Sequence, residues 1–185
     1  FTLDMRRVRE SRARAAATCD AAAVLQARVR EELLERLGVL RLQPQAVVDL
    51  GAGTGQATIA LKRRYPSSRV LALDLAPRML AQARRRQTLL RRFDRVAADA
   101  EALPLRDASV DMVFSNLALQ WCNDPDRVLR DCRRVLRPGG VLHLTTLGPD
   151  TLVLSIAAGK PIAQLEQALG AQLGVVRAMP NTPAA

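Results

Sequence analysis

Aromatic residues make up only 3% of the 185-residue chain, too few for a base-stacking surface of the single-strand-binding kind. Cysteines number three, Cys19, Cys122 and Cys132, with no C-x-x-C pair. Neither a disulfide framework nor a thiolate metal site is expected, and a reducing cytosol is the default compartment. Lysine is nearly absent, Lys62 and Lys160 standing against 26 arginines. No apolar run approaches the ~18–20 uncharged residues that a membrane-spanning helix needs. What the chain does have is apolar side chains, at 49%, and positive charge, +10 net. The first excludes disorder, and the length fits one domain of ~100–200 residues. The second points to an acidic partner or, equally, to arginine-favouring codon usage in a GC-rich genome.

The start, Arg6–Arg14 followed by Ala15–Ala17, is slightly similar to an organellar presequence, but Asp4, Glu10 and Asp20 interrupt it. The chain opens on Phe1 and not on Met, so a fragment or processed product is expected. Residues 20–37 carry Ala21, Val24, Leu25, Val29, Leu33, Leu34 and Leu37 at three-to-four spacing. That spacing predicts a helix capped by Asp20 and ended by a left-handed Gly38. Short apolar runs follow at 46–50, 70–73, 96–98, 110–114 and 140–146. Helix-compatible stretches lie between them at 56–64, 77–92 and 125–136, with Asp124 as an N-cap before Pro125. Strands that are apolar throughout and alternate with helices predict a parallel α/β sheet covered on both faces.

The most informative segment is Asp49-Leu50-Gly51-Ala52-Gly53-Thr54-Gly55, at the end of the first predicted strand. Glycines there let the backbone turn sharply and approach a ligand at a helix N-terminus. A dinucleotide fingerprint would place its third glycine at position 56, which is Gln56, and a Walker loop would continue Gly-Lys-Ser/Thr, which is absent. Asp49 also sets a carboxylate where a pyrophosphate would sit, which suits a cationic ligand better. Three further polar residues fall at strand ends, where open α/β sheets bind ligands. Asp74 is placed to accept both hydroxyls of a ribose, Asp99 to accept from an exocyclic amine, and Asn116 ends the fourth strand. Each acid taken singly is also an ordinary turn former or helix cap.

Together, Asp49-x-Gly51-x-Gly53-x-Gly55, Asp74, Asp99-Ala100 and Asn116 resemble the class I S-adenosylmethionine-dependent methyltransferases. The resemblance implies a Rossmann-like doubly wound sheet with S-adenosylmethionine as cofactor. It puts Gly51 and Gly53, with Gly55 completing the loop, beside the methionine portion, Asp49 near its ammonium and Asp74 on the ribose. Leu75 and Met79 would flank the adenine, Asp99 and Ala100 would lie at its edge, and Asn116 near the sulfonium. Arg14–Asp20, Leu25-Gln26, Phe114–Trp121 and Leu147–Leu152 further resemble the biotin-pathway methyltransferases that esterify the free carboxylate of a malonyl thioester on acyl carrier protein. Cys19, where that family usually has Tyr, with Gln120 and Trp121, are the implied substrate-pocket residues.

The resemblance runs from about Arg12 to Leu152. Residues 153–185 instead resemble an internal segment of pyrroline-5-carboxylate reductase, through Ser155–Gly159, Pro161–Glu166 and Val175–Pro183. Three parts are therefore expected: a helical lid segment at 1–40, a cofactor-binding core at 41–152 truncated after its fifth strand, and a foreign or fused tail. Too few residues follow the fifth strand for a parallel crossover, so the tail must turn back antiparallel, become helical or stay loosely packed, and a helix from about Pro149 is expected. An already ionised carboxylate acceptor needs no general base, so no catalytic residue is singled out. His143, within Val141–Leu144, reads as a packed sheet residue, and Cys122 and Cys132 as small apolar helix residues. Two arginine clusters, 84–92 and 127–137, are either solvated helix faces or a docking surface for an acidic carrier protein. RNA is the competing partner, and the competing functions are a small-molecule or RNA methyltransferase of the same fold and an inactive, truncated cofactor-binding fragment.

Overall fold

The computed structural model describes residues 2–16, 23–40 and 42–148, with the backbone of 151–158 and 177–178. Two helices come first, α1 (Met5–Ala15) and α2 (Val24–Arg36), the second running into a 3-10 turn at Leu37–Val39. Then β1 (Ala46–Leu50), α3 (Gln56–Arg64), β2 (Arg69–Asp74), α4 (Pro77–Arg84), β3 (Asp94–Ala97), β4 (Val110–Asn116), α5 (Pro125–Val135) and β5 (Leu136–Gly148) alternate. The strand order is β3-β2-β1-β4-β5, all parallel, extended at the β5 edge by β6 (Thr151–Ala158) and β7 (Arg177–Ala178). This is the Rossmann-like doubly wound architecture, and its order reverses between β1 and β4, where such sheets form their ligand crevice.

Alternation along the strands sorts the core into two layers. Val48, Leu50, Val113, Leu142 and Leu144 pack on one face against Val128, Leu129, Cys132 and Val135 of α5. Val47, Ala72, Met112 and Phe114 pack on the other, against Leu33, Leu61 and Ala83 of α2, α3 and α4. The amphipathic spacing of α5 accounts for its fit: four apolar residues share one face, and Asp124 caps the helix by accepting from Arg127 N at 2.8 Å. His143 is a packed sheet residue, its Nε2–H donating to Leu33 O at 2.7 Å and its ring 5.9 Å from that of Phe114.

Several expected boundaries move. Gly38 is no left-handed cap: the chain tightens into the 3-10 turn, which keeps Leu37 fully buried. The expected cap Asp20 and Cys19 lie outside the described residues. The helix begun at Pro77 stops at Arg84, not at 92, because the chain peels away so that Arg86 Nε reaches Thr54 O at 2.8 Å and Phe93 enters the core. The helix expected from Pro149 is corrected to β6, antiparallel to β5 from Gly148↔Thr151 to Leu142↔Ala158. Two intervening residues are too few for a parallel crossover and enough for a hairpin, and Thr151–Ile156 is rich in β-formers. Most of the reductase-like segment lies outside the described residues.

Candidate functional site

The carboxyl end of β1 passes into three glycines with left-handed backbone, Gly51 (φ +74°), Gly53 (φ +54°) and Gly55 (φ +79°). Gly51 N and Ala52 N donate to Leu73 O at 2.8 and 3.0 Å, tying the loop to β2. A Cβ on Gly51 would lie 2.3 Å from Ala118 Cβ, and one on Gly55 would lie 2.7 Å from Ala83 Cβ. Gly53 differs, with only the Arg12 guanidinium as near as 4.0 Å. Gly53 thus faces open space at the crevice, whereas Gly51 lets the loop pass close against Ala118 and Gly55 serves the seating of α3 on α4.

Two cavities open on this loop. The larger, about 520 Å³, is walled by Asp49, Gly51, Gly53, Met79, Asn116 and Trp121, with Arg7, Arg12, Gln26 and Arg30 from α1 and α2. The smaller, about 50 Å³, is walled by Asp74, Leu75, Asp99, Ala100 and Trp121, with Met5, Val8 and Arg12 of α1 across them. Val8, Arg12, Gly51 and Trp121 belong to both. Nearly all the residues singled out in the sequence therefore meet around one crevice. Gly55 stands behind the loop, and Gln120 is turned to Thr146, whose Oγ1 donates to its Oε1 at 3.3 Å.

Asp49 is buried and accepts a short bond, 2.5 Å, from Thr58 Oγ1. Burial pushes its carboxyl up to about 7, against the smaller opposing effect of the Thr58 bond. Asp74, equally buried, has three donors: Gly53 N at 2.9 Å and Arg12 Nη2 at 3.0 Å on Oδ2, and Ala76 N at 2.9 Å on Oδ1. The Asp99 Oδ1 accepts from Glu101 N at 2.9 Å, so its turn-forming role and its place on the wall coexist. Asn116 bridges elements: Nδ2 donates to Gln26 O of α2 and Oδ1 accepts from Thr145 Oγ1, both at 3.0 Å. Next to it Leu117 has φ +52°, an uncommon conformation for a side chain of its kind and one that clusters at functional sites.

Arg12 is the participant that sequence reasoning missed. It lies 62 residues from Asp74 with no local signal to join them, and only the packing of α1 over the β2 end brings them together. The arginine cluster at 127–137 is largely engaged within the fold. Arg134 bonds to Asp131, Asp107, Leu103 O and Leu105 O, Arg137 to Asp111, and Arg130 pairs with Asp124. Burial raises the thiols of Cys122 and Cys132 to about 11 and about 12, so neither is a ready nucleophile.

A family model described as a methyltransferase domain matches residues 48–144, more than half of the chain. The chain belongs to the methyltransferase domain family. It is 52% identical over 158 residues to malonyl-[acyl-carrier protein] O-methyltransferase of Methylovorus sp. (strain MP688), covering 82% of this chain and 53% of the relative. Against the protein of the same description from Laribacter hongkongensis it is 51% identical over 160 residues, covering 82% and 54%. The chain thus spans about half the length of the curated relatives it matches. Among solved structures, Haemonchus contortus phosphoethanolamine N-methyltransferase 1 superposes with a TM-score of 0.65 at 23% identity, over 80% of this chain and 33% of that one. At that identity the likeness bears on the fold of the methyltransferase domain alone.

Proposed function

We propose that the crevice binds S-adenosylmethionine and that the chain carries the methyl-transfer core of a malonyl-[acyl-carrier protein] O-methyltransferase acting in biotin synthesis in the cytosol. The observation that carries the reading is the pair of buried acids, Asp49 and Asp74, on adjacent strand ends with an open glycine turn between them. The residues fit the group. Asp49 suits an ammonium, Asp74 a ribose, Leu75 and Met79 the faces of an adenine, and Asp99 and Ala100 its edge. Gly51 and Gly53 leave room for the methionine portion, and Asn116 and Trp121 stand toward the acceptor.

The cofactor supplies an electrophilic methyl group on a sulfonium. What remains for the chain is to bind, align and exclude water, since in-line displacement depends above all on alignment. A malonyl carboxylate arrives ionised, so no side chain has to take its proton. Asn116, held from both sides by Gln26 O and Thr145, and Leu117 in its left-handed conformation give that end of the crevice a fixed shape. Helix α1, in the 1–40 segment read as a lid, closes the crevice. A carboxylate has about four lone-pair sites, and three on Asp74 are filled. Two ribose hydroxyls need two, so Arg12 yields its place when the ribose enters.

A second reading, cofactor binding without turnover, has its own support: the smaller cavity holds only about 50 Å³ with α1 in place. Residues 153–185 would be a foreign or fused tail on that core under either reading. Methyl transfer from labelled cofactor to malonyl carrier protein, malonyl coenzyme A and RNA decides among the readings. Labelled malonyl ester on the carrier protein is the expected product. Labelled RNA in its place would make this an RNA methyltransferase. Heat on titration with S-adenosylhomocysteine without any transfer would leave the second reading standing.

A further inference from the structure

Three arginines wall the larger cavity, and two of them have carboxylates of their own. Arg12 bonds to Asp74, and Arg7, largely exposed, pairs with Asp4 at 3.5 Å. Arg30, on α2, does not fit that pattern. Its side chain is only 19% exposed, yet it makes no hydrogen bond to any described residue. Among the described residues it pairs only with the adjacent Glu31, exposed and 3.9 Å off. A guanidinium withdrawn from water without a partner is costly, and such a cost persists where a ligand relieves it. Opposite lies Asp49, near enough to feel the Arg30 charge but hydrogen-bonded to Thr58 instead. The cavity therefore presents one buried acid, Asp49, and one half-buried base, Arg30, that hydrogen-bonds to no described residue.

We infer that Arg30 is the carboxylate anchor of this pocket, its planar fork receiving a ligand carboxylate through two parallel N–H···O bonds. The inference rests on the ligand pocket proposed above and names the chemistry of one end of it. Two carboxylates qualify, the α-carboxylate at the amino-acid end of the cofactor and the free carboxylate of the acceptor. The first would pair with the ammonium on Asp49 as a zwitterion spanning the cavity. The second would make Arg30 the selector of a malonyl over an acetyl group. Neither use requires Arg30 to change its charge.

Calorimetric titration of the purified chain with two ligand pairs separates these sources. One pair is S-adenosylhomocysteine and its decarboxylated analogue, the other malonyl coenzyme A and acetyl coenzyme A. The unsubstituted chain should favour the carboxylate-bearing member of one pair by about 10- to 100-fold, the range of a charge-assisted bidentate contact. Arg30→Met should reduce that ratio to near one without weakening the member that lacks the carboxylate, and Arg30→Lys should keep part of it. Collapse of the first ratio assigns the cofactor carboxylate, and collapse of the second assigns the acceptor. If the chain binds neither nucleoside but loses its malonyl preference in Arg30→Met, the anchor stands and the cofactor reading falls. Ratios unchanged by Arg30→Met, or no carboxylate preference in either pair, overturn the inference. Should Arg30→Met fail to melt cooperatively, Arg30→Lys decides, an unaltered ratio there being equally fatal.

Discussion

Asp49 and Gly51 show how far a single position can be pressed in the service of a pocket. Burial holds the Asp49 carboxyl at about 7 against an ordinary 3.8, so the native state keeps a proton that the unfolded chain has already released. Its contribution to stability is whole below 3.8, declines as the pH rises, and is gone above about 7. The difference in denaturant midpoint between the unsubstituted chain and Asp49→Asn should therefore fall steadily from pH 4 to 8, which separates this contribution from that of other titrating groups. Binding runs the other way: an ammonium needs the ionised carboxylate, so affinity for S-adenosylhomocysteine should rise as the pH passes about 7. Gly51→Ala meets both a left-handed φ and the Ala118 methyl. It should cost about 2–4 kcal/mol in urea denaturation, from backbone strain and overpacking together. Both positions were legible in the sequence, because strand-end acids and clustered glycines are local patterns. Arg12 and Arg30 were not, since a guanidinium on a long helix looks the same whether it meets water or a pocket.

Helix α3 runs from Gln56 to Arg64 as its spacing and Pro66 require, whereas α4 ends eight residues short of the arginine run that seemed to continue it. Exposed arginines are good helix formers, so composition alone carries no stop signal there. The stop is tertiary, set by the Thr54 carbonyl and the Phe93 core site. The antiparallel return of β6 on β5 is one of three outcomes that the short connection leaves open. The helix is preferred to it in the sequence because a short apolar run is compatible with either helix or strand until its partner is known. Two side chains join elements that the chain order separates. His143 links β5 to α2, and burial lowers its pKa below 6.5. Stability should thus decline as the pH falls beneath 6.5, where the unfolded imidazole takes up a proton and the native one does not. His143→Leu should remove that acid sensitivity while costing about 1–3 kcal/mol for the Leu33 carbonyl left unpaired. Arg134 fastens the loop from Leu103 to Asp107 onto α5, close behind the Asp99–Ala100 wall. Arg134→Ala should lower stability by about 2 kcal/mol, after discounting for its partial exposure, and should weaken S-adenosylhomocysteine binding although it touches neither cavity.

Charge is spread over the molecule in two distinct ways. Much of the arginine on α5 is tied into the fold, while Arg9, Arg14 and Arg78 line a groove of about 600 Å³ between α1 and α4, beside the closed crevice. With +10 net, the chain should draw anionic partners by long-range attraction that added salt screens beyond ~10 Å at 0.1 M. The kcat/KM for a malonyl carrier protein should accordingly fall about tenfold or more from low to high ionic strength, against a much smaller change for an uncharged methyl malonyl thioester probe binding in product inhibition. The link between Arg12 and Asp74 has a consequence in time as well as in space. If the ribose and α1 compete for one carboxylate, ligand capture is a two-step event whose observed rate levels off at the rate of helix release. Stopped-flow mixing should show that plateau in the unsubstituted chain and a rate rising linearly with ligand in Arg12→Ala, making the departure of one arginine the clock of the whole crevice.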